Sequence, residues 1–409
     1  MRLLFGCGVL FCSTLLAQNA YVYVGDISDT SVLLAWGTTA GRGVNTIGRE
    51  SRPMGLAVVE LNGKQEVKDR NWVSIGGLVP DTTYPYTVSV NGKTIGKGSV
   101  RTHPATSDRF SFFVIGDYGN ASRGQRRLAE VMTKEFQRRR NSDSPIRFVL
   151  TTGDNIYAAT NLRLFRTRTG ADDRDWEATH FRPYKDILAG VPFYATLGNH
   201  DCNQTEATAD LYTYLDNFFF PRNDPKRWYQ FNYGAFADFL GIDTTTCTGA
   251  GVDRLPYASG GDQHNWLRKT LRESKSPWKI VFGHHPPFNA GPGHGSSYDE
   301  LKHFLDVFRD EKVAVMFAGH EHNFQFAFVN DKTGPTRFVV TGAGGELRPG
   351  NISRSLTRAN IQGFAPDYHF LLVEVAGKSM KITPIGISGL KVMDAQMKPV
   401  EMPLEVTIP

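Results

Sequence analysis

The sequence predicts two folded units in series, an all-β segment followed by an α/β layer fold. Three observations predict this. Residues 21–103 hold short β-rich runs broken by Gly, Asp and Asn turns. After a linker at 101–108, apolar strands alternate with amphipathic helices, which argues for layered α/β architecture. Five of those later strands end in Gly followed by an acid, an amide or a histidine.

The elements follow in order. Residues 1–20 begin with Arg2, continue as an apolar run over 3–16 and close on small and polar residues. That is the pattern of a secretory signal, with cleavage after Ala17 or Ala20. The run is too short to cross a bilayer, which takes about 20 apolar residues. In 21–103, the runs 22–24, 31–36, 87–90 and 98–100 read as strands of a β-sandwich. Strands are then expected at 110–115, 148–151, 193–197, 237–242, 279–282, 313–317 and 338–341. Helical spacing appears at Leu128, Val131, Met132 and Phe136, and again over 261–273 and 298–309. The α/β unit is bounded at 109–390, and 391–409 reads as a C-terminal tail.

Composition narrows the function classes. A chain of 409 residues with 40% hydrophobic and 21% charged residues is an ordinary globular protein, not a disordered or fibrous one. Its formal charge of +5, spread over this length, is too mild to argue for nucleic acid. No stretch after the leader is apolar enough to span a membrane. Two cysteines lie outside the leader, Cys202 and Cys247. An exported protein permits a disulfide between them, and the absence of a CxxC spacing excludes a thiolate zinc site.

The chemistry lies at the strand ends: Gly116-Asp117-Tyr118-Gly119, Gly153-Asp154-Asn155-Ile156-Tyr157, Gly198-Asn199-His200-Asp201, Gly283-His284-His285 and Gly319-His320-Glu321-His322. Ligands of open α/β sheets gather beyond the carboxyl ends of strands, so these clusters are expected to converge. Asp, Asn, His and Tyr together make an oxygen and nitrogen donor set, suited to Fe, Zn or Mn. His320 and His322, two apart in extended chain, would point to the same side of the backbone. Each Gly would let the backbone bend sharply beneath a bound ion.

The ordered set GDxG, GDxxY, GNHD, GH and GHxH resembles the metallophosphoesterases, and the tyrosine of GDxxY narrows the likeness to the purple acid phosphatases. The stretch 78–88 resembles a strand region of fibronectin type III domains, with Trp36 as core tryptophan, and larger members of the phosphatase family carry such a domain. The resemblance implies a dinuclear centre. Asp117, Asp154, Tyr157 and His322 would hold Fe(III), Asp154 would bridge, and Asn199, His284 and His320 would complete a site for divalent Fe, Zn or Mn. His200 matches the family's substrate-binding or proton-donating histidine, and His294 matches a second one in a loop one residue longer. No other cofactor is implied. His285 reads either as a functional neighbour of His284 or as a strand-end residue. Asp201 reads either as orienting His200 or as capping its loop. Cys247 resembles a family cysteine whose usual partner position holds Ser296 and Ser297 here, so the disulfide pattern stays open. His103, His180, His264, His303 and His369 have no such context and read as surface or core residues.

The resemblance thus implies a secreted or periplasmic acid phosphatase acting on small phosphate monoesters. Two ions would clamp the phosphate and lower the pKa of water, the resulting hydroxide would attack in line, and His200 with His294 would protonate the leaving alkoxide. Two rivals stand beside it: a phosphodiesterase or nucleotidase on the same centre, and a non-catalytic surface-binding protein. The filled ligand set counts against the latter. Oligomeric state is not legible.

Overall fold

The computed structural model describes residues 20–38, 47–157, 176–204, 211–249, 251–252, 254–348 and 353–409. The leader expected over 1–20 lies outside them except for Ala20.

Among the described residues, seven strands build the N-terminal segment: β1 (Ala20–Ile27), β2 (Val32–Thr38), β3 (Ala57–Leu61), β4 (Lys64–Lys68), β5 (Trp72–Ile75), β6 (Thr83–Val90) and β7 (Lys93–Arg101). They form two antiparallel sheets, ordered β1-β2-β5 and β4-β3-β6-β7. Alternating residues from both sheets enclose one apolar cluster, in which Trp36, Leu34, Val59 and Val88 are fully buried. Two of the hairpins turn at Asn62-Gly63 and Asn91-Gly92. All four residues have positive φ (48°, 77°, 49° and 76°), the backbone of a tight two-residue turn that Asn-Gly adopts readily.

The second unit contains β8 (Arg109–Ile115), β9 (Ile146–Thr151), β10 (Phe193–Ala195), β11 (Tyr229–Tyr233), β12 (Ala237–Gly241), β13 (Trp278–Phe282), β14 (Val315–Ala318), β15 (Phe324–Phe328), β16 (Arg337–Thr341), β17 (Ile361–Ala365), β18 (His369–Ala376), β19 (Ser379–Gly386) and β20 (Leu404–Thr407). One sheet runs β10-β9-β8-β18-β19-β20 and the other β11-β12-β13-β14-β16-β15-β17. Strands β8, β9 and β10 are mutually parallel in the first, and β12, β13, β14 and β16 in the second. Their carboxyl ends carry the Gly-containing clusters. Residues 391–409, expected as a tail, instead supply β20, which pairs with β19 at the sheet edge.

Aromatic side chains knit the two sheets. Phe112 and Phe148 from the first meet Phe239 from the second at ring distances of 5.3 and 5.0 Å, and Phe231 stacks on Phe239 at 4.9 Å. Such pairs add roughly 0.5–1.5 kcal/mol each beyond the area they bury. The helix Arg123–Arg139 buries Leu128, Ala129 and Met132, and Ser122 caps it by accepting the Gln125 N–H. The helix expected from Gly261 begins at Asp262, with Gly261 as its N-cap. The β-segment shares this core: Tyr21, Tyr23 and Leu33 belong to the same apolar cluster. Tyr86 Oη donates to the Ala189 carbonyl at 2.7 Å, and Arg147 pairs with Asp81 at 2.8 Å.

His103, His180 and His369 are core residues, 2%, 2% and 0% exposed. Burial pulls their pKa values down to about 3, 3 and 4. Below the unfolded value of 6.5 the unfolded chain binds protons that the folded core refuses. Stability therefore falls as pH drops from 6.5 toward these folded values, by up to about 1.4 kcal/mol per pH unit for each histidine. Replacing His103 by Phe should flatten the decline in melting temperature between pH 6 and pH 4 in calorimetry. An unchanged slope would show that His103 is already protonated in the fold.

Candidate metal centre

The strand-end loops meet, and they do so in two groups. In one, Tyr157 Oη donates to Asp117 Oδ1 at 3.2 Å and lies 3.2 Å from His322 Nε2, which is 3.4 Å from Asp117 Oδ1. In the other, His284 Nε2 and His320 Nδ1 lie 2.9 and 3.1 Å from Asn199 Oδ1 and 3.2 Å from each other. Asp154 stands between. Its Oδ2 is 3.5 Å from His284 Nε2, and Asp117, Asp154 and His284 bring ligand atoms within 4.8 Å of one another. All seven residues that the resemblance named as ligands are thus brought together.

Local backbone explains the placement. Asp117, Asp154 and His320 each adopt positive φ, at 55°, 51° and 70°, a conformation non-glycine residues hold at a cost of roughly 1–3 kcal/mol. The bend expected at the glycines is made largely by the ligands themselves. Of Gly116, Gly153, Gly198, Gly283 and Gly319, only Gly153 has positive φ. The others are needed for close approach: a Cβ on Gly198 would strike Asp154, and one on Gly319 would strike Asp117. The extended reading of His320 and His322 is also corrected. Residues 320–323 form a bend, so His320 faces Asn199 while His322 faces Tyr157.

The donor set fits a cation. His284 Nδ1 sits 2.8 Å from the Thr152 carbonyl, which can only accept, so Nδ1 carries the proton. Nε2 is then a bare lone pair facing Asn199 Oδ1, and two acceptors held 2.9 Å apart call for positive charge between them. The electrostatics agree. Burial, then the Asp154 charge, pushes the Asp117 carboxyl well above its ordinary range. Burial, then Asp117 and Asp154, pushes the Tyr157 phenol well above 10. Burial, then neighbouring imidazoles, drives His284 and His320 down, and burial followed by the Arg348 charge does the same to His322. A bound cation would reverse the upward shifts of Asp117 and Tyr157 and reinforce the downward ones of the histidines, because it disfavours a proton on any of its ligands.

The remaining polar residues surround these groups. His200 donates its N–H to Asp154 Oδ1 at 2.8 Å, its ring is 4.5 Å from Tyr157, and its buried Nδ1 has no partner among the described residues. Asp201 accepts from the N–H of Gly198 at 2.7 Å, and from the N–H and side-chain amide of Asn155 at 3.0 Å each, clamping one ligand loop to another. His285 Nδ1 lies 3.0 Å from Thr244 Oγ1, and its ring is 4.4 Å from His320. His294 stacks on His320 at 3.8 Å and touches Arg348. Burial, then Arg348, lowers its pKa to about 4.

Cys202 and Cys247 are bonded, with an S–S distance of 2.03 Å. The bond ties the Asn199–Gln204 helix to a segment pinned by the buried Arg227–Asp243 ion pair at 2.6 Å. By chain-entropy arguments a closed loop of this length contributes roughly 4 kcal/mol.

Three residues here were not singled out from the sequence. Buried Glu321 accepts the N–H of His294 at 2.8 Å and of Gly293 at 3.4 Å, and Asn289 Nδ2 lies 3.3 Å away, so it anchors the rim loop. That loop closes on itself where Ser297 N–H donates to the Pro286 carbonyl at 2.9 Å. Arg348 follows the Thr341–Gly345 stretch, whose Gly344 N–H donates to the Gly116 carbonyl at 3.0 Å. Glu321 stood inside a quoted motif; nothing local marks Asn289 or Arg348.

Residues 110–324 match the calcineurin-like phosphoesterase family model. Purple acid phosphatase 17 of Arabidopsis thaliana is 27% identical over 273 residues, 61% of this chain and 73% of that protein. Tartrate-resistant acid phosphatase type 5 of Sus scrofa is 27% identical over 266 residues, 59% of this chain and 73% of that protein. The purple acid phosphatase PPD1 from yellow lupin, Lupinus luteus, superposes with a TM-score of 0.66 at 16% identity, covering 95% of this chain and 74% of that one.

Proposed function

The chain belongs to the calcineurin-like phosphoesterase family and is a metal-dependent phosphoester hydrolase; from that premise we propose an exported acid phosphatase of the purple type that cleaves phosphate monoesters. Export is supported by the signal-like leader and by the Cys202–Cys247 bond, which persists in oxidising compartments. No helix among the described residues is long and apolar enough to cross a membrane.

The observation that carries the reading is the pair of donor groups joined by Asp154. Asp117, Tyr157 and His322 would hold a ferric ion, and Asn199, His284 and His320 a divalent Fe, Zn or Mn, with Asp154 shared. Bound ions supply Lewis-acid stabilisation of the phosphoryl oxygens and acidify water. The chain's own residues do the rest. Asp201 and Asn155 hold the ligand loops in register, and the His200 N–H orients the Asp154 carboxylate. His200, with His294 across the site, protonates the leaving alkoxide, a contribution of roughly 10²–10⁴-fold. The β-segment acts as a spacer or lid.

Release of phenol from an aryl phosphate and from its bis-aryl diester, measured on the same metal-loaded sample, tests the reading. The monoester should dominate. A dominant diester rate would make the protein a phosphodiesterase on the same centre.

A further inference from the structure

Arg348 is tied to the metal centre through backbone and side chain together. Its N–H donates to the carbonyl of His322 at 3.0 Å. Its guanidinium touches His294 Nε2, and the His294 ring in turn lies 3.8 Å above His320. The side chain runs across Gly293, where a Cβ would come within 2.8 Å of Arg348 Cδ, so the rim is shaped to admit it.

Among the described residues no carboxylate pairs with the guanidinium, and nearby Glu346 is 3.8 Å from His322 Nδ1 instead. The Asp117 charge is within electrostatic reach of it, but a half-buried guanidinium bonded to no carboxylate keeps N–H donors that an anion in the site can use. Guanidinium geometry matches phosphate, and its charge-assisted bonds to phosphate oxygens are among the stronger ones proteins make.

We propose that Arg348 is a phosphate-binding and specificity-determining residue: its guanidinium, steered by His294, holds a non-bridging oxygen of the substrate and favours the monoester over the diester. The proposal rests on the monoester reading above and deepens it. A monoester keeps a third non-bridging oxygen and a second negative charge, whereas a diester has given that oxygen to its second ester bond. An additional cation at the rim therefore has something to hold mainly in the monoester.

The experiment compares wild type with Arg348→Gln and Arg348→Lys, each assayed for metal content. Binding of inorganic phosphate is followed by calorimetry, and kcat and KM are measured on an aryl phosphate and its bis-aryl diester. Metal content should be unchanged. In Arg348→Gln, phosphate affinity and monoester kcat/KM should both fall about tenfold to a hundredfold, with the diester falling far less. Arg348→Lys should recover part of the phosphate affinity, as a point charge without the fork. Unchanged phosphate affinity in Arg348→Gln, equal losses on both esters, or loss of metal would each overturn the proposal. A wild type that prefers the diester would sink the monoester reading instead, and the phosphate titration would still decide Arg348.

Discussion

Asp154→Ala is expected to lose bound metal and at least about 10³-fold in phosphatase rate together, because its carboxylate is the element common to both donor groups. Asp154 Oδ2 is 3.5 Å from His284 Nε2, its charge raises the pKa of Asp117, and its Oδ1 receives the N–H of His200 at 2.8 Å. Gly198 packs directly against this carboxylate, since a Cβ there would strike Asp154 Oδ1. His294→Ala is the contrasting variant. It removes a rim residue that stacks on His320 but belongs to neither donor group, so metal should stay while rate falls. Asp154→Asn keeps the shape and loses the charge, which separates loss of ligation from collapse of the loop. Metal analysis of all three, beside kcat, checks the assignment. Full metal content in Asp154→Ala would refute the bridge.

Tyr157→Phe should abolish visible colour while leaving much of the hydrolysis. The protein's own groups oppose ionisation of this phenol, because burial and two carboxylates push its pKa well above 10. Ligation to a ferric ion overrides that, since a bound cation is the largest local charge and inverts the local pKa logic. The oxidised wild type should accordingly be purple or violet, from absorption by a ferric phenolate. Phe fills the same volume and cannot ligate, so the band should vanish. Tyr157 is neither nucleophile nor proton donor, which is why rate should survive better than in Asp154→Ala. A visible spectrum taken with iron analysis decides it. A colourless, iron-free wild type with full activity would place a Zn or Mn pair here and Tyr157 as packing.

The candidate ligands were legible because most sit where an apolar run stops. Phe110 to Ile115 is almost wholly buried, and the next polar side chain, Asp117, is at the strand's mouth. The same logic located Asp154, Asn199, His284 and His320. Backbone detail was not legible. Asp117, Asp154 and His320 take left-handed conformations that Asp and His adopt more readily than most residues, but nothing local says where, and the fold holds them there through contacts from distant segments, such as the His320 N–H on Asp117. The Asn-Gly hairpins at 62–63 and 91–92 fall among the Gly and Asn turns read from the sequence, but strands β3, β4 and β5 beside the first were not read. Glu321 and Arg348 depend on which loop lies opposite them, a property of tertiary structure with no local pattern. The buried histidines His103, His180 and His369 belong with these, since only packing separates a core imidazole from a surface one.

The rim loop between Pro286 and Ser297 starts and ends at one point and is gripped at its centre by a carboxylate placed between two metal ligands. For redesign, that makes it a cassette whose latch at Glu321 is backed by Gln325, which accepts the Ala290 N–H and donates to Asn289 Oδ1, each at 2.9 Å. Its exposed positions Pro292 and Gly295 can be rewritten to admit larger or differently charged leaving groups, because its ends already meet, while His294, Gly293 and the buried Phe288–Ala290 stretch are kept. The latch is the part to leave alone. A library that varies the loop but keeps N–H groups on Glu321 explores substrate range. One that alters Glu321 disturbs, through His320 and His322, the centre that every substrate shares.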